Sequence, residues 1–584
     1  SLAHSLVSNH SIMGSGSSIG DWLDGFKDTP VFFEYIRYFK TGDPEILNYL
    51  YTFLCFGKKL MVTDSSFEKV ALRDWLGVEE KLGGLALHDQ DLKSMKYIMS
   101  ELLPTFSWRD LRPKFGPGSV QERGVRGRID KLRSLRFDPL IDRFLLRGHI
   151  GMYGYGGDQG IMTSKIIPDP EAWTPTRGVS SRSARLKFVP KNLKVARSIC
   201  MEPNTLMYFQ QAVMTRFLEL LDGSPYRFFI DIKNQQRNRD LCNFGSYTGE
   251  IDTLDLSAAS DSVSIELVKA VFPRSWLIPM LATRSSRAIL PNGHEVQLRK
   301  FAPMGSALCF PTQCIIFASV CIYAACLDTY EKSLPCDRSF DDWMRHGGLR
   351  ITLQKFERDP GYYPSTYQPF AIYGDDICLD GRLTDLVKLT LARLGFTVNE
   401  EKSFVGGQAF RESCGMYSLN GHDITPLYFR VEGVAPSLRA SHVASQVHLI
   451  NECYRRRFVH TYRFLHHSLM TWECGRRFRN KTSAKNSIPY VSDPEVFGIL
   501  CGAPSNKHLE GRTNTDYQRQ EFRVWTITYD YKVMAGDSLS LVDSYEYMRW
   551  WASRSDSKSA ELNHSVSRDD TGGAGLKWRW IPLQ

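Results

Sequence analysis

The run Tyr373-Gly374-Asp375-Asp376 constrains this chain more than any other feature. It lies inside Phe370-Ala-Ile-Tyr-Gly-Asp-Asp-Ile-Cys-Leu379, so apolar residues lead into a tight turn and out of it again. Two adjacent carboxylates repel each other unless a cation neutralises them. Oxygen-only ligands suit Mg²⁺, which keeps several waters and takes one or two carboxylates plus substrate phosphates. The run predicts a metal perch at the tip of a β-hairpin, and it demands a second carboxylate strand nearby. Alone, Gly-Asp-Asp is more often a polar turn, because both residue types favour turns. The case rests on the motifs around it.

A second carboxylate strand is present in Ile251-Asp-Thr-Leu-Asp-Leu-Ser-Ala-Ala-Ser-Asp261. Side chains alternate faces in a strand, so Asp255 can face the hairpin while Leu254 and Leu256 face a core. Ser260, Asp261 and Ser262 are N-cap types. Val263, Leu267 and Val271 then follow at helical spacing, which predicts a helix with Asp261 at its start. One Asp and an Asp pair can hold two Mg²⁺ ions roughly 4 Å apart, an arrangement suited to in-line displacement at phosphorus.

Further candidates flank these strands. Arg185-Leu-Lys-Phe-Val-Pro-Lys-Asn-Leu-Lys-Val-Ala-Arg197 groups Lys187, Lys191, Lys194 and Arg197 around Pro190, a cluster able to clamp a triphosphate. Asn292-Gly293 marks a hairpin turn. Pro303-Met-Gly-Ser306 precedes an uncharged stretch. There Gly305 permits close backbone approach to a template or nucleotide, and Ser306 offers a hydroxyl to a ribose or base. Thr384 is positioned to cap a helix through Leu394 that ends at Gly395. A short strand at Phe396–Asn399 follows, then Lys402, a candidate proton donor to departing pyrophosphate.

Composition sets the bounds. The chain has 584 residues, 42% hydrophobic and 23% charged, enough for several lobes. A net charge of +9 mildly favours a polyanionic partner. Thirteen cysteines without a Cys-x-x-Cys pair point to reduced thiols rather than a disulfide framework or zinc. No basic-then-apolar leader is legible after Ser1. Ala302 to Leu327 carries no charge, but its strongly apolar part, Cys314 to Leu327, is too short to span a bilayer; a buried helix is expected. Gly14 to Gly20 mimics a phosphate loop without a preceding strand and reads as a terminal linker. Trp108 to Phe137 is arginine-rich and holds Lys114-Phe-Gly-Pro-Gly-Ser-Val120, a rigid turn flanked by cations. Tyr454 to Lys485 interleaves arginines with aromatic rings, which suits single-stranded nucleic acid as well as it suits a solvated helix face over core aromatics. Trp550, Trp551, Trp578 and Trp580 are expected to pack.

The order basic clamp, Asp255, Gly305-Ser306, Asp375-Asp376, Lys402 is that of right-hand polymerases. Val189-Pro-Lys-Asn192 with Glu202-Pro203, Asp255-Leu-Ser-Ala-Ala-Ser-Asp-Ser-Val-Ser264, and Phe410-Arg-Glu-Ser-Cys-Gly415 with Asp423-Ile-Thr-Pro426 and Tyr428 closely resemble the replicase β-subunits of leviviruses, the single-stranded RNA bacteriophages. The resemblance spans roughly residues 110–430. It implies an RNA-directed RNA polymerase that starts without a primer. It also implies Asp255, Asp375 and Asp376 as ligands of Mg²⁺ (or Mn²⁺), Lys191, Lys194 and Arg197 as nucleotide contacts, and Asp261 near the incoming ribose, whose 2′-OH both donates and accepts. Its implied partners are template and nascent RNA, ribonucleoside triphosphates, and host elongation factors Tu and Ts, sometimes with a ribosomal protein. The implied setting is the cytoplasm of an infected bacterium, with no membrane. The chain departs from the family in a longer Asp328 to Gln368 segment and in Pro303-Met-Gly-Ser-Ala-Leu-Cys, where coliphage members have Met-Gly-Asn-Gly.

The expected fold is α+β, a right hand with an antiparallel-sheet palm. Residues 1–105 form a helical segment packing on the hand, 106–250 fingers with the basic clamp, 251–430 the palm with inserted finger segments, and 431–584 a largely helical, basic thumb. The alternatives are a reverse transcriptase, which Gly374 and Asp261 disfavour, and a catalytically inactive RNA-binding protein, which would not need the carboxylates and the clamp together.

Overall fold

The computed structural model describes residues 28–59, 65–107, most of 111–141, 180–192, 195–333, 338–358, 369–429, 440–469, 488–492, 498–502, 509–515, 518–529 and 574–581. The fold mixes helices and sheets. Gly14 to Gly20, Lys194, Trp550, Trp551 and much of the two arginine-rich stretches lie outside the described residues.

A three-stranded antiparallel sheet occupies the centre, with strand Asp376–Asp380 between Ile251–Leu254 and Phe370–Tyr373. Alternation divides its side chains between two apolar layers. Ala371 and Cys378 meet Leu241 of helix Gln236–Thr248, whereas Phe370, Ile372, Ile377 and Leu379 join the main core. That core is built around helix Cys309–Glu331, which is apolar on all sides and buried along almost its whole length. A helix without a polar face needs partners all round; here they are helices Asp89–Leu102 and Thr384–Arg393 and the first hairpin strand. At 23 residues the helix is long and apolar enough to cross a membrane, but 89% of its apolar window is buried inside the fold, the buried helix that was expected.

A second sheet holds the basic segment. Strands Ser183–Pro190 and Ala196–Met201 pair antiparallel, and Ser183–Pro190 also pairs in parallel with Arg287–Ile289. The predicted Asn292-Gly293 turn joins Arg287–Ile289 to Glu295–Gln297. One face of this sheet, with Ala184, Leu186 and Cys200, packs on Trp75 of helix Ser65–Gly83. A third sheet, Phe410–Ser413, Met416–Leu419 and His422–Asp423, is covered by Leu47, Leu50 and Tyr51 of helix Pro44–Cys55. The N-terminal helices are therefore structural parts of the central lobes.

Several local expectations change. The helix after Asp255 starts at Ile265, capped by Ser264, whose hydroxyl accepts from the Leu267 N–H at 3.0 Å. Asp261 lies in the turn before it. Thr384 does not cap its helix; its hydroxyl donates to Asp252 Oδ2 at 2.6 Å, and Asp380 caps the preceding turn instead. Within the Asp328 to Gln368 segment, helix Leu349–Arg358 follows a short turn of helix at Phe340–Trp343, and Trp343, Met344 and Leu349 join the main core. Beyond helices Ala440–Arg455 and Val459–Ser468 the described residues include strands Glu510–Asn514, Arg519–Tyr529 and Ala574–Ile581, which pair antiparallel. No disulfide occurs among the described residues.

Candidate active site

The hairpin bend is shaped by the core helix beneath it. Gly374 adopts φ +67°, and its N–H donates to Cys314 Sγ at 3.2 Å. A Cβ at Gly374 would lie 2.7 Å from Phe310 Cε2, and the Phe310 ring meets Tyr373 edge-on at 5.1 Å. The bend therefore presents Asp375 and Asp376 from a rigid base.

The register of the central sheet brings the distant carboxylate to them. Leu254 pairs with Ile377 at the end of strand Ile251–Leu254, so Asp255 and Asp376 are the next residues along the two strands. The Asp255 N–H donates to Ser403 Oγ at 3.1 Å, Asn399 Nδ2 donates to Asp255 Oδ2 at 3.0 Å, and Lys402 Nζ lies 3.5 Å from that oxygen. Burial raises the Asp255 pKa, with Asp375 adding to the rise and Lys402 and Asn399 opposing it. Asp376 is pushed up to about 7, first by burial, then by Asp375, against a hydrogen bond from the Cys414 backbone. Lys402 is held above its ordinary value because Asp255, Glu412 and Asp375 outweigh the cost of burial.

These residues form an under-neutralised acidic patch. Its all-oxygen donors fit a hard divalent cation. Among the described residues, however, no three His, Cys, Asp or Glu side chains enclose a common point. The three carboxylates disfavour one another's ionisation, and Lys402 lies 3.5 Å from Asp255.

The basic segment reaches the same patch from the second sheet. Lys187 pairs with Ile199 and Arg197 with Val189, which puts both cations on the face away from Trp75. Lys191 sits at the turn between the strands, where its N–H donates to Val195 O at 3.1 Å. Its pKa is lowered by desolvation and then by Arg197 and Lys402, while Asp375 and Asp255 act in the opposite direction. Lys191, Arg197, Lys402, Asp255 and Asp375 thus share one electrostatic neighbourhood.

The remaining predicted residues have other neighbours. Gly305 adopts φ +118°, and a Cβ there would fall 2.1 Å from Cys200 O. The close approach it permits is therefore to strand Ala196–Met201, reinforced by the Cys200 N–H donating to Met304 O at 2.8 Å. Ser306 is buried, and its hydroxyl donates to Gln210 Oε1 at 3.1 Å instead of standing free for a ligand. Asp261 is also largely buried, 3.7 Å from Lys300 Nζ, and burial raises its pKa against the pull of Lys300 and a bond from the Met304 backbone.

Sequence reasoning missed Asn399, Glu412, Gln210 and Lys300. Asn399 directly follows a short strand, Thr397–Val398, that pairs with Leu256–Ser257 next to Asp255, so strand pairing carried a usable signal for it. Gln210 lies on helix Asn204–Asp222, and nothing in its local sequence sets it apart.

Comparison with known proteins places this site in context. Residues 172–333 and 366–456 match the family described as RNA replicase, beta-chain. The RNA-directed RNA polymerase subunit beta of Enterobacteria phage SP is 32% identical over 242 residues, covering 41% of this chain and 35% of the relative. The corresponding subunit of Escherichia virus Qbeta is 30% identical over 267 residues, covering 46% of this chain and 37% of the relative. The beta chain of Escherichia phage MS2 is 31% identical over 242 residues, covering 41% and 37%. The matches thus span little more than a third of these relatives' own lengths. Among solved structures, the RNA-dependent RNA polymerase of a human picorbirnavirus aligns over 80% of this chain and 87% of its own at 11% identity, with a TM-score of 0.39.

Proposed function

We propose that this chain, whose central region matches the RNA replicase beta-chain family, is the catalytic subunit of an RNA-directed RNA polymerase that copies a single-stranded RNA phage genome. The observation that carries the reading is the adjacency of Asp255 to the Asp375-Asp376 bend, rimmed by Lys191, Arg197 and Lys402, inside the matched region.

In this reading Asp255, Asp375 and Asp376 would hold two Mg²⁺ ions, with Mn²⁺ as a substitute. When bound, the ions would activate the attacking hydroxyl and offset charge at the reacting phosphate. Lys191 and Arg197, with Lys187 and Lys194, bind the triphosphate of the incoming nucleotide. Lys402, whose charged form is favoured by its acidic neighbours, keeps a proton on Nζ for the departing pyrophosphate. Asp261 faces the ribose. Gly305 and Ser306 serve by packing the Met304 loop against Cys200 and Gln210.

The architecture is read as a right hand. Its palm is the central sheet within residues 251–430, its fingers are the basic sheet and the segments before it, and its thumb follows residue 430. Initiation is primer-independent, and the working assembly forms in the infected bacterial cell with elongation factors Tu and Ts and a ribosomal protein. A pull-down of the tagged chain from its host identifies the true partners.

The direct test is ribonucleotide incorporation on an RNA template by wild-type protein and Asp375→Asn. The substitution is expected to abolish incorporation while leaving RNA binding within twofold of wild type. Undiminished synthesis by Asp375→Asn eliminates the assignment.

A further inference from the structure

Lys300 is the least expected side chain beside Asp261. It is fully buried, yet it is a lysine. A buried ammonium is costly unless its surroundings compensate it. Here compensation comes from two chain regions far apart in sequence. Lys300 Nζ lies 3.9 Å above the Trp75 ring and 3.5 Å from Trp75 O, 3.6 Å from Glu79 Oε1 and 3.7 Å from Asp261 Oδ1. Both carboxylate oxygens are buried and make no hydrogen bond. One cation is therefore shared between two acids at slightly more than hydrogen-bond distance.

The backbone makes this arrangement rigid. The Ile265 N–H donates to Arg299 O at 2.8 Å and the Phe301 N–H to Val263 O at 2.7 Å, which stitches the Lys300 segment to the turn that carries Asp261. Arg284 holds Lys300 O and Phe301 O from behind. On the other side of Asp261, the Met304 backbone favours the charged carboxylate. The Asp261 side chain keeps 13% of its surface open while Oδ1 is turned inward to the ammonium.

We propose that Lys300, anchored by Trp75 of helix Ser65–Gly83, is a positioning residue that fixes Asp261 so that its open edge discriminates the sugar of the incoming nucleotide. This rests on the polymerase reading and extends it: sugar selection is set in part by an N-terminal helix remote from the reacting atoms. Glu79 competes with Asp261 for the same ammonium, which gives the proposal a sign that simple packing lacks.

The experiment measures the ratio of kcat/KM for a ribonucleoside triphosphate to that for its 2′-deoxy analogue, using the full chain with its co-purifying bacterial proteins. Lys300→Met is expected to lower the ratio about tenfold, equivalent to ~1.4 kcal/mol. Glu79→Gln, which releases the ammonium toward Asp261, is expected to leave the ratio at or above the wild-type value. A folded Lys300→Met with the wild-type ratio overturns the proposal, as does an equal fall in both variants. If Lys300→Met does not fold, Trp75→Leu frees the ammonium from the ring and is expected to lower the ratio; a wild-type ratio there overturns the proposal too. Absence of any incorporation by the wild-type chain refutes the polymerase reading itself, and this inference with it.

Discussion

Gly305→Ala probes how the Met304 loop is seated. The backbone at Gly305 has φ +118°, where an L side chain is strained, and the added Cβ would lie 2.1 Å from Cys200 O. Cys200 cannot easily retreat. It pairs with Leu186 in the second sheet, is buried against Trp75, and its N–H already donates to Met304 O. A non-glycine residue at positive φ costs ~1–2 kcal/mol, and forcing a group into a packed site costs ~1–3 kcal/mol more, together ~2–5 kcal/mol. Gly293→Ala is the matched control. Gly293 also has positive φ, +89°, but its Cβ would meet nothing within 4 Å, so only the conformational cost of ~1–2 kcal/mol applies. Urea unfolding followed by tryptophan fluorescence should therefore place the Gly305→Ala midpoint clearly below that of Gly293→Ala. Incorporation should fall in Gly305→Ala alone, because the displaced loop carries Ser306 and the Met304 backbone that favours the charged Asp261. Equal midpoints for the two variants would refute the claim that the loop is wedged against Cys200.

Other consequences are equally direct. Glu202 is buried with the Ser285 hydroxyl donating to it, and burial pushes its pKa up to about 7 from 4.5. The folded chain holds a proton there that the unfolded chain releases, so the contribution to stability is complete below pH 4.5 and lost as pH rises through 7, about 3 kcal/mol in all. Glu202→Gln should accordingly be more stable than wild type at pH 8 and no more stable at pH 4.5, by urea midpoints at the two pH values; the same difference at both would contradict this. Asn399→Ala removes a hydrogen bond to the Asp255 carboxylate, worth ~1.5–3 kcal/mol, and should lower kcat at least tenfold with little change in RNA affinity. Excess chelator should stop incorporation and added Mg²⁺ should restore it; synthesis that persists in chelator would exclude the carboxylates as a metal site.

The features legible in the sequence are those whose physics is local. Gly374 between apolar runs, Asn292-Gly293, and Gly395 after a leucine-rich helix are all found at turns or ends, because a positive φ or a hairpin register is decided within a few residues. The amphipathic spacing of Val263, Leu267 and Val271 correctly marked a buried face, though not the helix's first residue, since Ser264 rather than Asp261 supplies the cap. The order of carboxylates and cations was equally plain, and with it the family resemblance. What these residues touch was not legible. Gly305 and Ser306 look exposed to a ligand in sequence but are spent on Cys200 and Gln210, and the ammonium beside Asp261 is balanced by a ring and a carboxylate from an N-terminal helix. A side chain's partners depend on which distant strands pair and which helices cover them. The sequence by itself therefore determined the turns, the periodic faces and the reactive residue types. Tertiary packing alone decided which of those groups face the acidic patch and which are consumed in holding it together.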